Sequence, residues 1–200
     1  MTGPRETTMP KMNYWTDKWD LHEDICPCDV HFNDWAEDQK LKNKLIYHFG
    51  TGTHHVIGRK QAENGSGNNV LAITASIEEY EAFIKLVSEY SKVNKQYSAY
   101  FGDIYLTNPT LLPDAFDAVT MFHLCEFFFP NTASKEYGGF TDLQLLNLFT
   151  DKTKVGGHIL FYTRSIAFDK AKAVIADWEK EKKVKRVSEF KTLLVYQKTA

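Results

Sequence analysis

Two stretches of the chain carry residue types that do chemistry. The first is His48-Phe49-Gly50-Thr51-Gly52-Thr53-His54-His55, which closes the short apolar run that begins at Leu45. Glycines between an apolar run and a helical pattern permit a tight turn and close approach of a ligand to the backbone. The start of the following helix offers unpaired N–H groups to an anion. The second stretch is Phe122-His123-Leu124-Cys125-Glu126, followed by three phenylalanines. An imidazole and a carboxylate at the end of a strand-like run are general acid–base types. A histidine merely satisfied at the mouth of a sheet has the same pattern. Cys26 and Cys28, with His22 and His31 nearby, are zinc-ligand types. A structural zinc site uses a wider cysteine spacing and a second clear ligand pair, so the pattern reads as an incidental Cys-Pro-Cys turn and no metal is expected. A nicotinamide dinucleotide loop is also set aside. It needs a third glycine three residues after Gly52, where His55 stands.

The elements that must position these residues alternate. Lys44–Phe49, Asn69–Thr74, Gln96–Asp103, Phe116–Leu124 and Gly156–Ser165 read as strands. Thr53–Glu63, Ser76–Val93, Thr141–Lys154 and Asp169–Lys182 read as helices, with Thr53 as a cap and Ser76 with Glu79 as a capping box. Ile77, Tyr80, Phe83, Ile84 and Val87 form one face of the second helix. Lys183–Phe190 and Thr192–Lys198 are too close for a crossover and read as an antiparallel hairpin. The order predicts a parallel sheet covered by helices on both faces. Upstream, Trp15, Trp19 and Trp35 suggest one or two aromatic-rich cap helices, and Asp34–Lys42 a helix that enters the main domain. The first dozen residues read as a loose tail.

A chain of 200 residues, 25% charged and 43% apolar, suits one globular domain. Its formal charge of −2 gives no footprint for nucleic acid, and Lys180–Arg186 reads as a solvated helix end running into a strand. No apolar run is long enough to span a membrane. The first 30 residues contain no apolar signal core. Three cysteines, an odd and low number, point to reduced thiols and a cytoplasmic setting.

From about Asp34 to Lys198 the order of elements resembles the class I S-adenosylmethionine (SAM)-dependent methyltransferases. The landmarks are HFGTGT after the first strand, LAITAS at the end of the second, FGD at the end of the third, FDAVTMFHL on the fourth and TKVGGHILFYTRS on the fifth. The resemblance implies a doubly wound, mostly parallel seven-stranded sheet with one antiparallel strand near the C-terminus and helices on both faces. It divides the chain into a tail and cap helices at 1–33 and a Rossmann-like methyltransferase domain at 34–200. It implies SAM as cofactor, held by His48, Gly50, Thr51, Gly52, Thr74, Ala75, Asp103, Ile104 and Phe122. His123 and Glu126 are then the catalytic candidates, a small molecule is the acceptor, and neither nucleic acid nor membrane is a partner. YWTDKWD looks loosely like the tryptophan-containing lid of thiopurine-methyltransferase-like members. Tyr14, Trp15, Trp19 and Phe127–Phe129 are candidates to wall the pocket, and 130–140 for a lid.

The sequence departs from the family pattern at three points. His48 stands for the acid that heads the first motif, His54 for its third glycine, and Thr74 for the ribose-binding acid. A hydrogen bond lost from a charged group, about 2 kcal/mol, weakens binding roughly 30-fold. Glu78 or Glu79 is placed to substitute for the ribose acid. The departures motivate the alternative function, a degenerate and non-catalytic methyltransferase-like binding or regulatory protein.

Overall fold

The computed structural model describes residues 11–129, 131, 132 and 134–200. The expected tail lies almost wholly outside the described residues, as do Pro130 and Ala133 of the expected lid. The strands are β1 Leu45–Phe49, β2 Asn69–Thr74, β3 Tyr97–Phe101, β4 Phe116–Thr120, β5 Thr153–Tyr162, β6 Val184–Phe190 and β7 Leu193–Lys198. The helices are α1 Cys28–Asp38, α2 Val56–Glu63, α3 Ile77–Glu89, the short α4 Ser91–Asn94, α5 Asp142–Lys152 and α6 Phe168–Glu181. The sheet order is β3-β2-β1-β4-β5-β7-β6. Only β7 runs against its neighbours, pairing antiparallel with both β5 and β6. This is the doubly wound sheet with a single reversed strand that the pattern of elements predicts.

Strand alternation divides the core between the two faces. On β1, Ile46 packs under α1 and α2 with Phe32, Ile57 and Phe83. Tyr47 and Phe49 point the other way, toward Phe116, Leu145, Phe149 and Trp178 under α5 and α6. His48 therefore faces the α1 side of the sheet. β6 forms an edge and is exposed along most of its length, as expected for Lys183–Arg186. Its charged side chains discourage pairing with another chain.

The N-terminal segment differs from its expected form. Among the described residues no helix precedes α1. Trp15 and Trp19 do not stack on a helix because the Trp15 backbone is committed elsewhere. Its N–H donates to Ala75 O at 2.9 Å, and its carbonyl accepts from Ile77 N at 3.2 Å. α1 also begins six residues before the expected Asp34 and crosses the expected division at residue 33. Cys28, Phe32, Trp35 and Ala36 recur at helical spacing and form one continuous buried stripe. Asp29 lies on the same buried side. The long helix expected at Ser76–Val93 breaks at Tyr90 into α3 and α4, and Ile77 and Ile84 are exposed rather than packed.

Candidate functional site

The strand order reverses between β1 and β4, and in open α/β sheets the ligand crevice lies beyond the strand ends at that point. A cavity of about 300 Å³ opens there. Its wall takes Gly50 and Gly52 after β1, Thr74 and Ala75 at the end of β2, Asp103 and Ile104 after β3, and His123 and Glu126 after β4. Trp15, Trp19, Cys26, Cys28 and Asp29 close it from the N-terminal side. The other expected site residues lie behind the wall. His48 is 1% exposed, and its Nδ1 bonds the Thr120 hydroxyl at 2.8 Å. Thr51 is buried, and Phe122 packs into the α1-side core.

Both glycines of the loop have positive φ, +83° at Gly50 and +54° at Gly52. The space a side chain would need is taken by imidazoles. A Cβ on Gly50 would stand 3.0 Å from His123 Cδ2, and one on Gly52 would stand 2.3 Å from His54 Nε2. The loop is also tied down, with Thr53 N donating to Trp19 O at 2.9 Å. Thr53 bonds Asp20 at 2.5 Å and does not cap α2, which starts after His55 in a left-handed conformation.

Two buried carboxylates from other elements stand beside the motif positions that carry no acid. Ser76 caps α3 by accepting from Glu79 N, but the Glu79 side chain does not return to complete the capping box. It turns to the end of β2, where its Oε2 accepts from Thr74 Oγ1 at 2.6 Å and from Thr51 Oγ1 at 3.2 Å. Burial pushes the Glu79 carboxyl up, and the two threonine hydroxyls oppose it, with a net rise. Asp29 is the second of them. It is buried on α1 opposite His48, with His48 Nε2 and His54 Nδ1 each 3.7 Å from its Oδ2. Burial would raise its carboxyl, but the facing histidines prevail and hold it below the ordinary value. Its close hydrogen bonding is thin, a Cys28 thiol at 3.5 Å. His48 Nε2 itself has no hydrogen-bond partner among the described residues.

Asp103 is engaged on both oxygens. Tyr105 N donates to Oδ1 at 2.9 Å, and the Tyr137 hydroxyl makes a short bond to Oδ2. Burial raises its carboxyl above the usual range despite those donors. At the far wall, His123 Nδ1 lies 3.0 Å from Glu126 Oε2, and Ser165 donates to Glu126 Oε1 at 2.5 Å. Burial would depress the imidazole, but the Glu126 carboxylate outweighs it and raises the pKa. The hydrogen bond shared with Cys28 holds the Cys26 thiol down at about 6. Of the aromatics expected to wall a pocket, Trp15, Trp19 and Phe127 do so. The Trp15 and Phe127 ring centroids are 5.0 Å apart. Tyr14 and Phe129 line a neighbouring groove, and Phe128 packs on Tyr105.

Asp29, Cys26 and Cys28 were not expected on the wall. The helical spacing of Asp29 with Phe32, Asn33 and Ala36 was the available signal. It is visible once α1 is started at Cys28.

No protein-family model and no curated protein matches the sequence. Solved structures do match the fold. A SAM-dependent methyltransferase of Aquifex aeolicus is 16% identical with a TM-score of 0.57, over 88% of this chain and 94% of that one. A Methanococcus maripaludis protein provisionally described as a SAM-dependent methyltransferase is 9% identical with a TM-score of 0.61, over 88% and 87%. A Staphylococcus aureus protein provisionally described as a caffeoyl-CoA O-methyltransferase is 10% identical with a TM-score of 0.60, over 90% and 86%. The chain therefore has the class I SAM-dependent methyltransferase fold. Among the described residues no helix is long and apolar enough to cross a membrane.

Proposed function

We propose that this chain is a SAM-dependent methyltransferase for a small-molecule acceptor bound in the cavity, with the segment ahead of α1 as its cap. The observation that carries the reading is the pair of buried carboxylates on the cavity wall, Asp29 and Glu79, which stand in for the acids absent at His48 and Thr74. The acceptor set fits the cofactor's donors. Glu79 would take the ribose hydroxyls, Asp29 the ammonium end, and Asp103 the adenine amino group. When bound, SAM supplies an electrophilic methyl group on sulfur. The protein's part is then to orient the acceptor and exclude water. Trp15, Trp19 and Phe127 supply the apolar wall that does both. Glu126 fixes the His123 ring through Nδ1, which leaves Nε2 to take a proton from an acceptor that must lose one.

Calorimetric titration with SAM and with S-adenosylhomocysteine tests the reading. Binding at micromolar concentration is expected. No heat and no thermal shift at millimolar cofactor would reject it in favour of a degenerate, non-catalytic binding protein. The unpartnered imidazole nitrogen of His48, where the family has an acid, is the observation on that side.

A further inference from the structure

His123 lies far from Cys26 and Cys28 in sequence but meets them at one point of the cavity wall. One ligand atom from each, two sulfurs and a ring nitrogen, fall within 4.8 Å of one another. The two sulfurs are 3.5 Å apart. A tetrahedral zinc ion with metal–sulfur and metal–nitrogen distances of about 2.3 and 2.0 Å holds its ligand atoms roughly 3.5–3.8 Å apart. The triad is therefore within a small side-chain adjustment of that geometry. The short Cys-Pro-Cys spacing, which argued against a metal from sequence alone, is no obstacle. The third ligand comes from beyond β4, and neither His22 nor His31 is needed. His31 is engaged with Thr192 at 2.8 Å on another part of the surface.

The surroundings are those of a metal-bound histidine. Such a ring usually donates its second nitrogen to a carboxylate, which fixes its tautomer and orientation. His123 Nδ1 is held by Glu126, and Ser165 holds Glu126 in turn, so Nε2 is the nitrogen left for a metal. All three candidate ligands line the cavity, so a fourth position would face it. Three protein ligands with one open position is the arrangement of catalytic rather than structural zinc.

We propose that Cys26, Cys28 and His123 bind one thiophilic divalent cation of the zinc class, with its fourth coordination position open to the cavity. Binding forms two metal–thiolate bonds and one metal–imidazole bond, and protons carried by the thiols pass to solvent. The metal makes His123 a ligand, so activation of an acceptor would shift from the imidazole to the open metal position. The triad stands on this chain's own residues and does not require SAM, and metal and cofactor titrations report separately.

The test is anaerobic titration of the reduced, chelator-treated protein with cobalt(II), followed by visible absorption and elemental analysis. One equivalent per chain is expected, with an intense sulfur-to-cobalt charge-transfer band that zinc displaces. Cys26→Ser and His123→Gln should each weaken binding at least 10-fold. Cys125→Ser should bind as the parent does. Failure of the folded, reduced parent protein to take up cobalt or zinc would overturn the proposal. So would a band that survives unchanged in Cys26→Ser and His123→Gln.

Discussion

Glu79 receives the hydroxyls of Thr74 and Thr51 on the same carboxylate oxygen, at 2.6 and 3.2 Å. A residue one turn into α3 thus places its charge at the end of β2, where the strand itself ends in an uncharged threonine. If this carboxylate binds the ribose, Glu79→Gln should weaken SAM binding roughly 10- to 100-fold, the range set by about 1.5–3 kcal/mol for a hydrogen bond to a charged group. The isosteric amide still accepts from both threonines, so stability should hold. Glu78→Gln, next to it and half exposed, should stay within about twofold. Calorimetry on the two variants checks this; equal affinities would remove Glu79 from the site.

Asp29 and His48 lead to a test by restoration. If His48 marked a lost acid function, His48→Asp would tighten cofactor binding. Because His48 Nε2 is 3.7 Å from the Asp29 carboxylate, the new acid would form a buried like-charge pair and lose the Thr120 bond. His48→Asp should therefore lower stability by about 3 kcal/mol and give no gain in affinity. Asp29→Asn should lose affinity by about 10-fold or more. Denaturant melts and SAM titrations of both variants decide between the two accounts.

The sheet was legible in the sequence because buried parallel strands are short apolar runs bounded by glycine and turn residues, as at Leu45–Phe49 and Asn69–Thr74. The ends of β1 to β4 were legible for the same reason, and with them Gly50, Thr74, Asp103 and His123. The segment before α1 was not legible. Trp15 and Trp19 fit a helical spacing, yet their place is set by backbone bonds to Ala75 and Ile77 and by the Phe127 ring. Those partners are dozens of residues away, and local periodicity carries no trace of them. Starting α1 at Asp34 hid Asp29, and the meeting of Cys26 with His123 depends on the same long-range placement.

His55 gives the stability curve a predictable arm. Glu79 O can only accept, so His55 Nε2 donates to it at 2.8 Å, and Nδ1 accepts from the Tyr97 hydroxyl at 2.6 Å. Burial depresses the imidazole from its ordinary 6.5 to about 4, against the support of the Glu79 carbonyl. The folded pKa lies below the unfolded one, so the unfolded chain binds the extra proton between these values, and stability falls as pH drops through that window. It is unaffected by this group above pH 6.5. The full difference is about 3 kcal/mol at about 1.4 kcal/mol per pH unit. Denaturant titrations at pH 7 and 4.5 should show the parent losing about 2 kcal/mol more than His55→Gln. Parallel losses would mean that the imidazole titrates normally.

Gly58 sits inside α2, where alanine would ordinarily add about 1 kcal/mol of helix stability. Here a Cβ would stand 2.3–2.4 Å from the Tyr97 ring. That ring is 1% exposed, packed edge-on against Phe83 and fixed by its hydrogen bond with His55, so it has nowhere to move. Overpacking of this kind costs about 1–3 kcal/mol, and a ring that cannot move puts Gly58 at the upper end, about 3 kcal/mol. Gly58→Ala should therefore destabilise by about 2 kcal/mol net, reversing the sign that propensity alone predicts. The cause can be isolated in a double-mutant cycle. In a Tyr97→Leu background, already weakened by loss of the ring, Gly58→Ala should cost less than half as much, a coupling of about 1 kcal/mol or more. Strictly additive effects would show that the glycine is held by something other than the close approach of α2 to β3.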